Sequence, residues 1–441
     1  DIFFGKGSMS ELKKLKGYKR AFIVTGGVIP KIGLLDKLIS ILKEAGMETD
    51  AFVEVESDPS VETVMRGKER MLEFCPDIIV AIGGGSAIDA AKAMYVFYEH
   101  PHLTFEDIKE PNSVPRLRNK AIFVAIPSTS GTASEVTSFA VITDTRSKVK
   151  YPIADSDLTP DIAILDSEIT ATMPPVLVAH TGLDALTHAV EAYVAKCRSS
   201  FTNPLAIHSI AMMYGYLKES YDGDIDARGE MHIAQCIAGM AFTNAQLGIT
   251  HSLAHKAGGP FNLPHGLCNA ILLPFVMEYN LPEAEYKYAR VARAMGIKED
   301  DDRRAAVGAR GEAGQRRADV AAPRQVHDIG HGMARADRLH QEQRVGPTPL
   351  DVDLAGALLL PLLLGSDREP ELAEEGGGPA GRGHQHRHVA RHDIETHPGL
   401  LAWLGCCART RYRLRSIIGA APRPRLHAVS SGITPTSRPA A

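Results

Sequence analysis

The sequence DIIVAIGGGSAIDAAKAM, residues 77–94, decides the fold class of this chain. Its first six residues are an apolar, β-branched run typical of a buried strand, and its last eight have the spacing of a helix. The glycines between them allow backbone amides to approach a pyrophosphate, and Ser86 adds a donor at the positive end of the helix. The stretch predicts a strand, a phosphate-binding loop and a helix. Because its spacing is not the usual GxGxxG fingerprint, a purely structural turn remains the alternative.

Similar units lie on both sides of this stretch. Residues 21–25, 121–126 and 161–165 are further candidates for buried strands, while residues 33–45 and 60–74 have helical spacing. Alternating strands and helices are typical of a parallel sheet covered by helices. We therefore expect residues 1–174 to form a dinucleotide-binding α/β domain.

The pattern changes after Pro174 and Pro175. Strand signals stop there, and long apolar-periodic stretches follow at residues 176–195, 203–217 and 231–241. Such stretches are typical of packed helices. The predicted fold class is therefore α/β plus all-α, with an all-helical domain over residues 175–300. A cleft between two domains is a common place for a site.

A second change in composition begins near Asp300. No lysine follows Lys298 and no phenylalanine follows Phe275, whereas arginine, alanine, glycine and proline accumulate. These four residue types have GC-rich codons, so we interpret residues 301–441 as an aberrant tail translated out of frame. A genuine arginine-rich extension is the alternative. On either interpretation the helical domain is expected to be incomplete.

Size and composition restrict the function classes. A chain of 441 residues is longer than one core usually serves, and a formal net charge of −4 gives no electrostatic reason to expect nucleic acid. No apolar run is long enough to span a bilayer, and the six cysteines form no CxxC pair. We expect a cytoplasmic protein with a small-molecule substrate and no membrane partner; homo-oligomerisation stays open.

A second polar loop follows another predicted strand. The sequence PSTSGTASEVT, residues 127–137, is rich in small hydroxyl residues. It could be a polar turn or a helix cap. Because open α/β sheets bind ligands at the carboxyl ends of their strands, we favour a second phosphate or nicotinamide contact by Thr129, Ser130 and Thr132.

The helical half begins with a pair of metal-ligand type. In HTGLDALTHAVEAY, residues 180–193, Asp184 and His188 lie four residues apart and share one helical face. Isolated pairs of this kind are usually surface pairs or hydrogen-bonded within a helix. Here apolar neighbours indicate burial, and a buried carboxylate is costly unless something neutralises it.

Three histidines follow within fifteen residues. His251 and His255 are four apart on a predicted helix, and His265 follows a Gly-Gly-Pro break that can fold the chain back. Together with Asp184 and His188 they offer one carboxylate and several imidazoles. This set suits Fe(II), Zn(II) or a similar divalent ion.

These residues resemble the iron-containing, or group III, alcohol dehydrogenases, and the resemblance covers roughly residues 1–300. The motifs GGGSAIDAAKAM, IPSTSGTASEVT, MPP and HTGLDALTHAVEAY and the three-histidine stretch occur in the family's order and spacing. The resemblance implies that Asp184, His188, His251 and His265 hold the metal. It also implies that His255 lies against the nicotinamide, where it would orient the ring or join a proton relay. Its fold is an α/β dinucleotide domain followed by an all-helical metal domain.

The resemblance also implies a set of cofactor contacts. They are Gly84, Gly85, Ser86, Asp89, Thr129, Thr132 and Lys150. One position departs from members that prefer NAD, which often have an acidic residue where this chain has Gly26. A carboxylate there would bind the ribose hydroxyls and repel a 2′-phosphate. We therefore expect NADP(H) to be used at least as well as NAD(H).

The function implied is hydride transfer between a nicotinamide cofactor and a short primary alcohol or aldehyde, as in a butanol dehydrogenase. Two alternatives remain. One is a dehydroquinate-synthase-like lyase, since such enzymes share the fold type and also combine a nucleotide with a metal. The other is a catalytically impaired nucleotide-binding remnant, because the family's last helices have no recognisable counterpart in residues 301–441.

Overall fold

The computed structural model describes residues 1–147, 149–261 and 263–320 of the chain. The eight strands of these residues are β1 (Ile2–Phe4), β2 (Arg20–Gly26), β3 (Glu48–Val55), β4 (Ile78–Gly83), β5 (Ile122–Pro127), β6 (Phe139–Asp144), β7 (Val149–Ala154) and β8 (Ile162–Leu165). Six strands form one parallel sheet in the order β1-β8-β5-β4-β2-β3, and β6 and β7 form an antiparallel hairpin.

Twelve helices surround or follow the sheet in the described residues. They are α1 (Val28–Lys31), α2 (Leu34–Glu44), α3 (Val61–Phe74), α4 (Gly85–Glu99), α5 (Phe105–Ile108), α6 (Ser167–Thr170), α7 (Pro175–Val194), α8 (Thr202–Asp222), α9 (Ile225–Ala245), α10 (Ile249–Phe261), α11 (His265–Ala294) and α12 (Asp302–Val320). All strands precede Pro175, so the predicted fold class, α/β followed by all-α, is confirmed.

Local sequence explains why these helices form where they do. In α2 the apolar positions Leu35, Leu38 and Leu42 recur at helical spacing and are buried on one face. Helix α3 begins after Ser60, whose hydroxyl accepts a hydrogen bond from the Thr63 amide at 3.2 Å, which is a side-chain cap. Pro175 occupies the first position of α7, where its missing amide hydrogen costs nothing.

The order of the sheet places a crevice beside β2. The chain passes from β2 to β3 on one side and then returns to β4 on the other side of β2. Open α/β sheets bind ligands at such a reversal of strand order, beyond the carboxyl ends of the strands. The hydroxyl of Thr25 donates to the Ile82 carbonyl at 2.6 Å and joins the two strands at that end. The fold therefore directs a ligand to Gly26 and to the loop after Gly83.

The helical part is organised around α7. Its apolar residues belong to a core shared with α8, α9 and α11, which includes Leu186, Ile210, Met231 and Leu273. Buried Arg228 joins three segments, since its guanidinium donates to the carbonyls of Ser220, Thr170 and Ala171. Because α7 is buried on nearly every side, polar groups that it carries must find partners inside the protein.

Several elements differ from the sequence-based expectation. Strands β2, β4, β5 and β8 confirm the four predicted strands, but β1, β3 and the β6–β7 hairpin were missed. Strand β3 lies at the edge of the sheet and alternates partly exposed polar residues with few buried ones, so it lacks the apolar run of a central strand.

The segment after residue 300 begins with α12, so helical structure continues beyond the predicted break. Ala305, Ala306, Ala309 and Ala313 of this helix are buried, and they belong to the same core as α7 and α11. The remaining residues of the predicted tail, 321–441, lie outside the described residues. In the part of the chain that the structure describes, no helix has the length and apolarity needed to cross a membrane.

Candidate active site

The two predicted cofactor loops meet at the carboxyl edge of the sheet. The Ser128 amide donates to the Gly83 carbonyl at 2.8 Å, which joins the loop after β5 to the loop after β4. A Cβ atom added at Gly85 would lie 2.8 Å from Thr132 Cγ2 and 2.9 Å from its Oγ1. One added at Gly84 would lie 3.4 Å from Thr129 Cγ2. The contact at Gly85 is too close for a side chain, whereas that at Gly84 is an ordinary one, and together the loops form a backbone-lined cradle of the kind that phosphates occupy.

Two of the predicted cofactor residues are engaged inside the protein. The Ser130 hydroxyl is buried and lies 3.0 Å from His232 Nδ1 on α9. The Asp89 carboxylate accepts hydrogen bonds from the Ser134 hydroxyl and from the Val141 amide. Both residues therefore hold the loop after β5 in place, and direct cofactor contact by either one stays a prediction.

A further polar group lies beside the phosphate loop. The Lys150 ammonium pairs with Asp58 at 2.7 Å, and the Asp58 amide donates to the Ser86 hydroxyl at 3.3 Å. The structure thus brings Ser86 and Lys150, two predicted cofactor contacts, to one place. Asp58 was missed because no motif marks the loop that follows β3.

Gly26, the last residue of β2, faces the end of the neighbouring edge strand. A Cβ atom added there would lie 2.9 Å from the Val55 carbonyl oxygen. Gly26 therefore places no side chain where an acidic residue would lie near the ribose.

The predicted metal ligands converge in the helical part. Asp184 and His188 lie on α7, His251 on the first turn of α10, and His265 is the first residue of α11. Ligand atoms of Asp184, His188 and His251 all lie within 4.8 Å of one another. Asp184 Oδ1 is 3.8 Å from His251 Nε2 and 3.7 Å from His265 Nε2. Three residues from two helices, Asp184, His188 and His251, therefore surround one point, and His265 from a third helix lies beside Asp184.

The rings of this cluster are held by stacking. His188 lies between Phe242 and His251, with ring centroids 4.4 Å apart on each side and interplanar angles of 20° and 18°. His265 lies 5.5 Å from His251 and 4.8 Å from His255. His255 is exposed, so it forms the open end of the row of rings and the side from which a substrate or cofactor would approach.

The protonation states fit a cation at this point. Burial lowers the pKa of His188, and it lowers the pKa of His251 well below the ordinary value, so both rings are neutral with a lone pair available. Burial opposes the charge of Asp184, but His188, His265, His251 and the Asn269 amide lower its pKa to about 2. One carboxylate and three imidazoles match the donors that Fe(II) and Zn(II) prefer.

An unpartnered nitrogen supports the same conclusion. His251 Nε2 is buried and has no hydrogen-bond partner among the described residues. Buried polar atoms are normally paired, and an orphan calls for an explanation. A metal ion between His251 Nε2 and Asp184 would supply that partner, so the residues present fit the group.

Two supporting residues were missed by the sequence-based reasoning. Asn269 donates to Asp184 Oδ1 at 2.7 Å, and its amide nitrogen lies 3.1 Å from His265 Nε2. The Glu191 carboxylate lies 2.7 Å from His251 Nδ1. Helical spacing was the available signal, because Asn269 is four residues after His265 and Glu191 is seven after Asp184.

Comparison with known proteins agrees with this geometry. Residues 1–167 match the family model described as iron-containing alcohol dehydrogenase, and residues 178–336 match that of the C-terminal part of the Fe-containing alcohol dehydrogenase family. The NADPH-dependent butanol dehydrogenase of Clostridium saccharobutylicum is 57% identical over 297 residues, which are 67% of this chain and 76% of that protein.

Solved structures give the same result. An iron-containing alcohol dehydrogenase from Thermococcus thioreducens is 36% identical, with a TM-score of 0.69, and the match covers 83% of this chain and 98% of that one. A 1,3-propanediol oxidoreductase is 32% identical, with a TM-score of 0.73, covering 82% and 97%. The chain therefore belongs to the iron-containing alcohol dehydrogenase family, whose members are NAD(P)-dependent oxidoreductases of alcohols and aldehydes.

Proposed function

We propose that this enzyme interconverts short primary alcohols and their aldehydes, with NADP(H) as the preferred cofactor and a divalent metal held by Asp184, His188, His251 and His265. The observation that carries the proposal is the convergence of one buried carboxylate and three imidazoles beside a backbone-lined phosphate cradle. The butanol dehydrogenase relative is named for NADPH and butanol, which supports both the cofactor and the substrate class.

Each residue has a defined task in this proposal. A divalent ion, iron or zinc, would act as a Lewis acid on the alcohol or carbonyl oxygen. Asp184 supplies the negative charge of the ligand set, and the neutral imidazoles of His188 and His251 supply lone pairs. The stacked rings keep the ligand set rigid and exclude water on the buried side, while the cleft stays open at His255.

The cofactor would lie with its phosphates at Gly84, Gly85 and Ser86 and its nicotinamide toward Thr129 and Thr132. With this placement the ring would lie at the carboxyl edge of the sheet, where the loops after β4 and β5 meet. His255 is the exposed imidazole at that side, so it would orient the nicotinamide or pass a proton to solvent. Lys150, paired with Asp58 near Ser86, adds a positive charge close to the phosphates.

The proposal also includes the organisation of the chain. We propose a dinucleotide-binding domain over residues 1–174, a helical metal-binding domain over residues 175–300 and an aberrant tail over residues 301–441. Family matches that end at residue 167 and begin again at residue 178 support the first boundary. We further propose that the protein is cytoplasmic and forms homo-oligomers, with small molecules as its other partners.

Ligand substitution tests the proposal. His251→Ala and His265→Ala should lower bound metal and NADPH-dependent butanal reduction together, because each removes one donor from the cluster. His255→Ala should retain the metal but turn over more slowly. Metal content by mass spectrometry and NADPH absorbance are the two measurements. Full metal content and activity in both ligand variants would show that the assignment is wrong.

The same assays separate the remaining alternatives. A dehydroquinate-synthase-like lyase would consume no net NADPH with butanal, whereas a dehydrogenase does. Family membership already favours the dehydrogenase. An impaired nucleotide-binding remnant would bind NADPH and leave its absorbance unchanged with every aldehyde supplied.

A further inference from the structure

A carboxylate that no part of the proposed reaction uses lies directly behind one of the metal ligands. Glu191 lies seven residues after Asp184 and three after His188 along α7, so all three share one face of the helix. Its side chain is only 4% exposed. A buried carboxylate is costly unless other groups compensate its charge, so the contacts of Glu191 indicate its role.

Three N–H groups converge on this carboxylate. The amide of Gly248 donates to it at 3.0 Å, the amide of Thr250 at 2.7 Å, and His251 Nδ1 lies at 2.7 Å. The two backbone amides can only donate, so both carboxylate oxygens act as acceptors here. Since a carboxylate only accepts hydrogen bonds, the proton of the neutral His251 ring must reside on Nδ1.

This proton placement decides what the other nitrogen can do. With Nδ1 protonated, His251 Nε2 keeps its lone pair and points to the Asp184 carboxylate, 3.8 Å away. Fixing the ring in this tautomer presents Nε2 as a donor to a cation. The other tautomer would place a hydrogen atom on Nε2, where the ion is expected.

The loop before His251 is built around the same carboxylate. Helix α10 begins at Ile249, so the carboxylate lies at the positive end of the helix and satisfies amides of its first turn. A Cβ atom added at Gly248 would lie 2.7 Å from Glu191 Oε1, so a side chain there would displace the carboxylate from this position. The preceding Gln246 has φ 67°, a left-handed conformation that non-glycine residues rarely adopt.

We propose that Glu191 is a positioning residue, which sets the tautomer and orientation of His251 and so presents Nε2 to the metal. The inference rests on the proposed metal site. Carboxylates behind metal-bound histidines act in this way, and loss of such a partner typically costs about 10- to 100-fold in metal affinity.

The test is Glu191→Gln, with metal affinity as the readout. The glutamine side chain has one acceptor oxygen in place of two. Its NH₂ group would either face a backbone N–H donor or donate to His251 Nδ1, and the second arrangement requires the wrong tautomer of His251. We expect the affinity for Zn²⁺, measured on the full chain by competition with a chromophoric chelator, to fall about 10- to 100-fold. Glu191→Asp keeps the charge but is one methylene shorter, so its loss should be smaller. The Co²⁺-loaded variants should also show altered visible absorption bands.

Controls separate this inference from the proposed function and from misfolding. Glu168→Gln makes the same chemical change at an exposed residue paired with Lys37 and should bind Zn²⁺ as wild type does. Asp184→Asn should lose the metal; if it binds Zn²⁺ normally, the site assignment itself is wrong. If Asp184→Asn loses the metal while both Glu191 variants bind within twofold of wild type, only the role of Glu191 is refuted. If Glu191→Gln is insoluble, Glu191→Asp decides the same question.

Discussion

Gly85 is a position in the cofactor cradle that leaves no room for one added methyl group. In Gly85→Ala the new Cβ would lie 2.8 Å from Thr132 Cγ2, 2.9 Å from Oγ1 and 3.1 Å from Cβ. Ordinary carbon–carbon contacts are about 3.5–4.0 Å, so the overlap is close to 1 Å. Thr132 cannot turn away easily, because a β-branched side chain has few rotamers and three of its atoms are involved.

The expected cost follows from this overlap. One extra methyl group forced into a tight contact costs about 1–3 kcal/mol. If the loops separate to relieve it, that free energy is lost from the cradle that holds the cofactor phosphates. Because 1.4 kcal/mol corresponds to about tenfold, NADPH affinity should fall about five- to 150-fold. The folded state should survive, since the movement is confined to the edge of the sheet.

Fluorescence titration of NADPH with Gly85→Ala measures this loss directly. Gly215→Ala is the matched control, because nothing lies within 4 Å of a Cβ added at Gly215 in α8. Thr132→Ser removes one of the crowded atoms, so the double variant should recover part of the affinity relative to Gly85→Ala. Unchanged NADPH affinity in Gly85→Ala would refute the view that contact between the two loops shapes the site.

Two further predictions concern the cofactor and stability. Gly26→Asp should lower the ratio of kcat/KM for NADPH to that for NADH by about fivefold or more, because like charges 4 Å apart repel by about 1 kcal/mol or more. The ratio is the proper measurement, since Cβ contact with the Val55 carbonyl at 2.9 Å will affect both cofactors; an unchanged ratio contradicts the role given to Gly26. Burial raises the pKa of Glu135 to about 7, so the folded state holds a proton that the unfolded state has lost above its ordinary pKa of 4.5. Stability should therefore decline as the pH rises from about 4.5 to about 7, and urea midpoints of Glu135→Gln should lack this decline. Parallel pH profiles for the variant and wild type would show that Glu135 does not titrate in this way.

Local spacing was sufficient to predict the Asp184–His188 pair and the glycine loop, because each is encoded within one short segment. Which of the three later histidines join the pair was implied by the family resemblance. Asp184 and His188 share a helical face wherever α7 lies, and glycines between a strand and a helix form a phosphate loop wherever the sheet lies. The central strands were predictable for a similar reason. Their burial on both faces produces an apolar run that edge strand β3 does not need.

The residues that sequence reasoning missed depend on tertiary packing. Glu191 acquires its partners only because the loop containing Gly248 passes beside α7. The contact between the Ser130 hydroxyl and His232, far away in sequence, likewise forms only once α9 packs on the loop. No pattern within either segment contains this information.

The segment after residue 300 bears on the site through α11, which begins at the predicted ligand His265. The arginines, alanines and glutamates of α12 favour a helix even without apolar periodicity. The buried alanines of α12 allow it to approach its neighbours closely. The Tyr214 hydroxyl donates to Glu312 at 2.5 Å, and the guanidinium of Arg316 lies 4.2 Å from the Tyr214 ring centroid.

These contacts cover part of the helical core that a defective tail was expected to expose. Leu217 of α8, Val291 of α11 and Met295, the residue that follows α11, are buried, so the apolar faces of these two helices are not left bare at those positions. An apolar face that is covered does not promote association through exposed surface. Cover by α12 is therefore shown near Val291 and not along all of α11, because Tyr279 and Tyr286 of that helix are exposed. The NADPH assay with butanal, rather than packing, decides the impaired-remnant alternative.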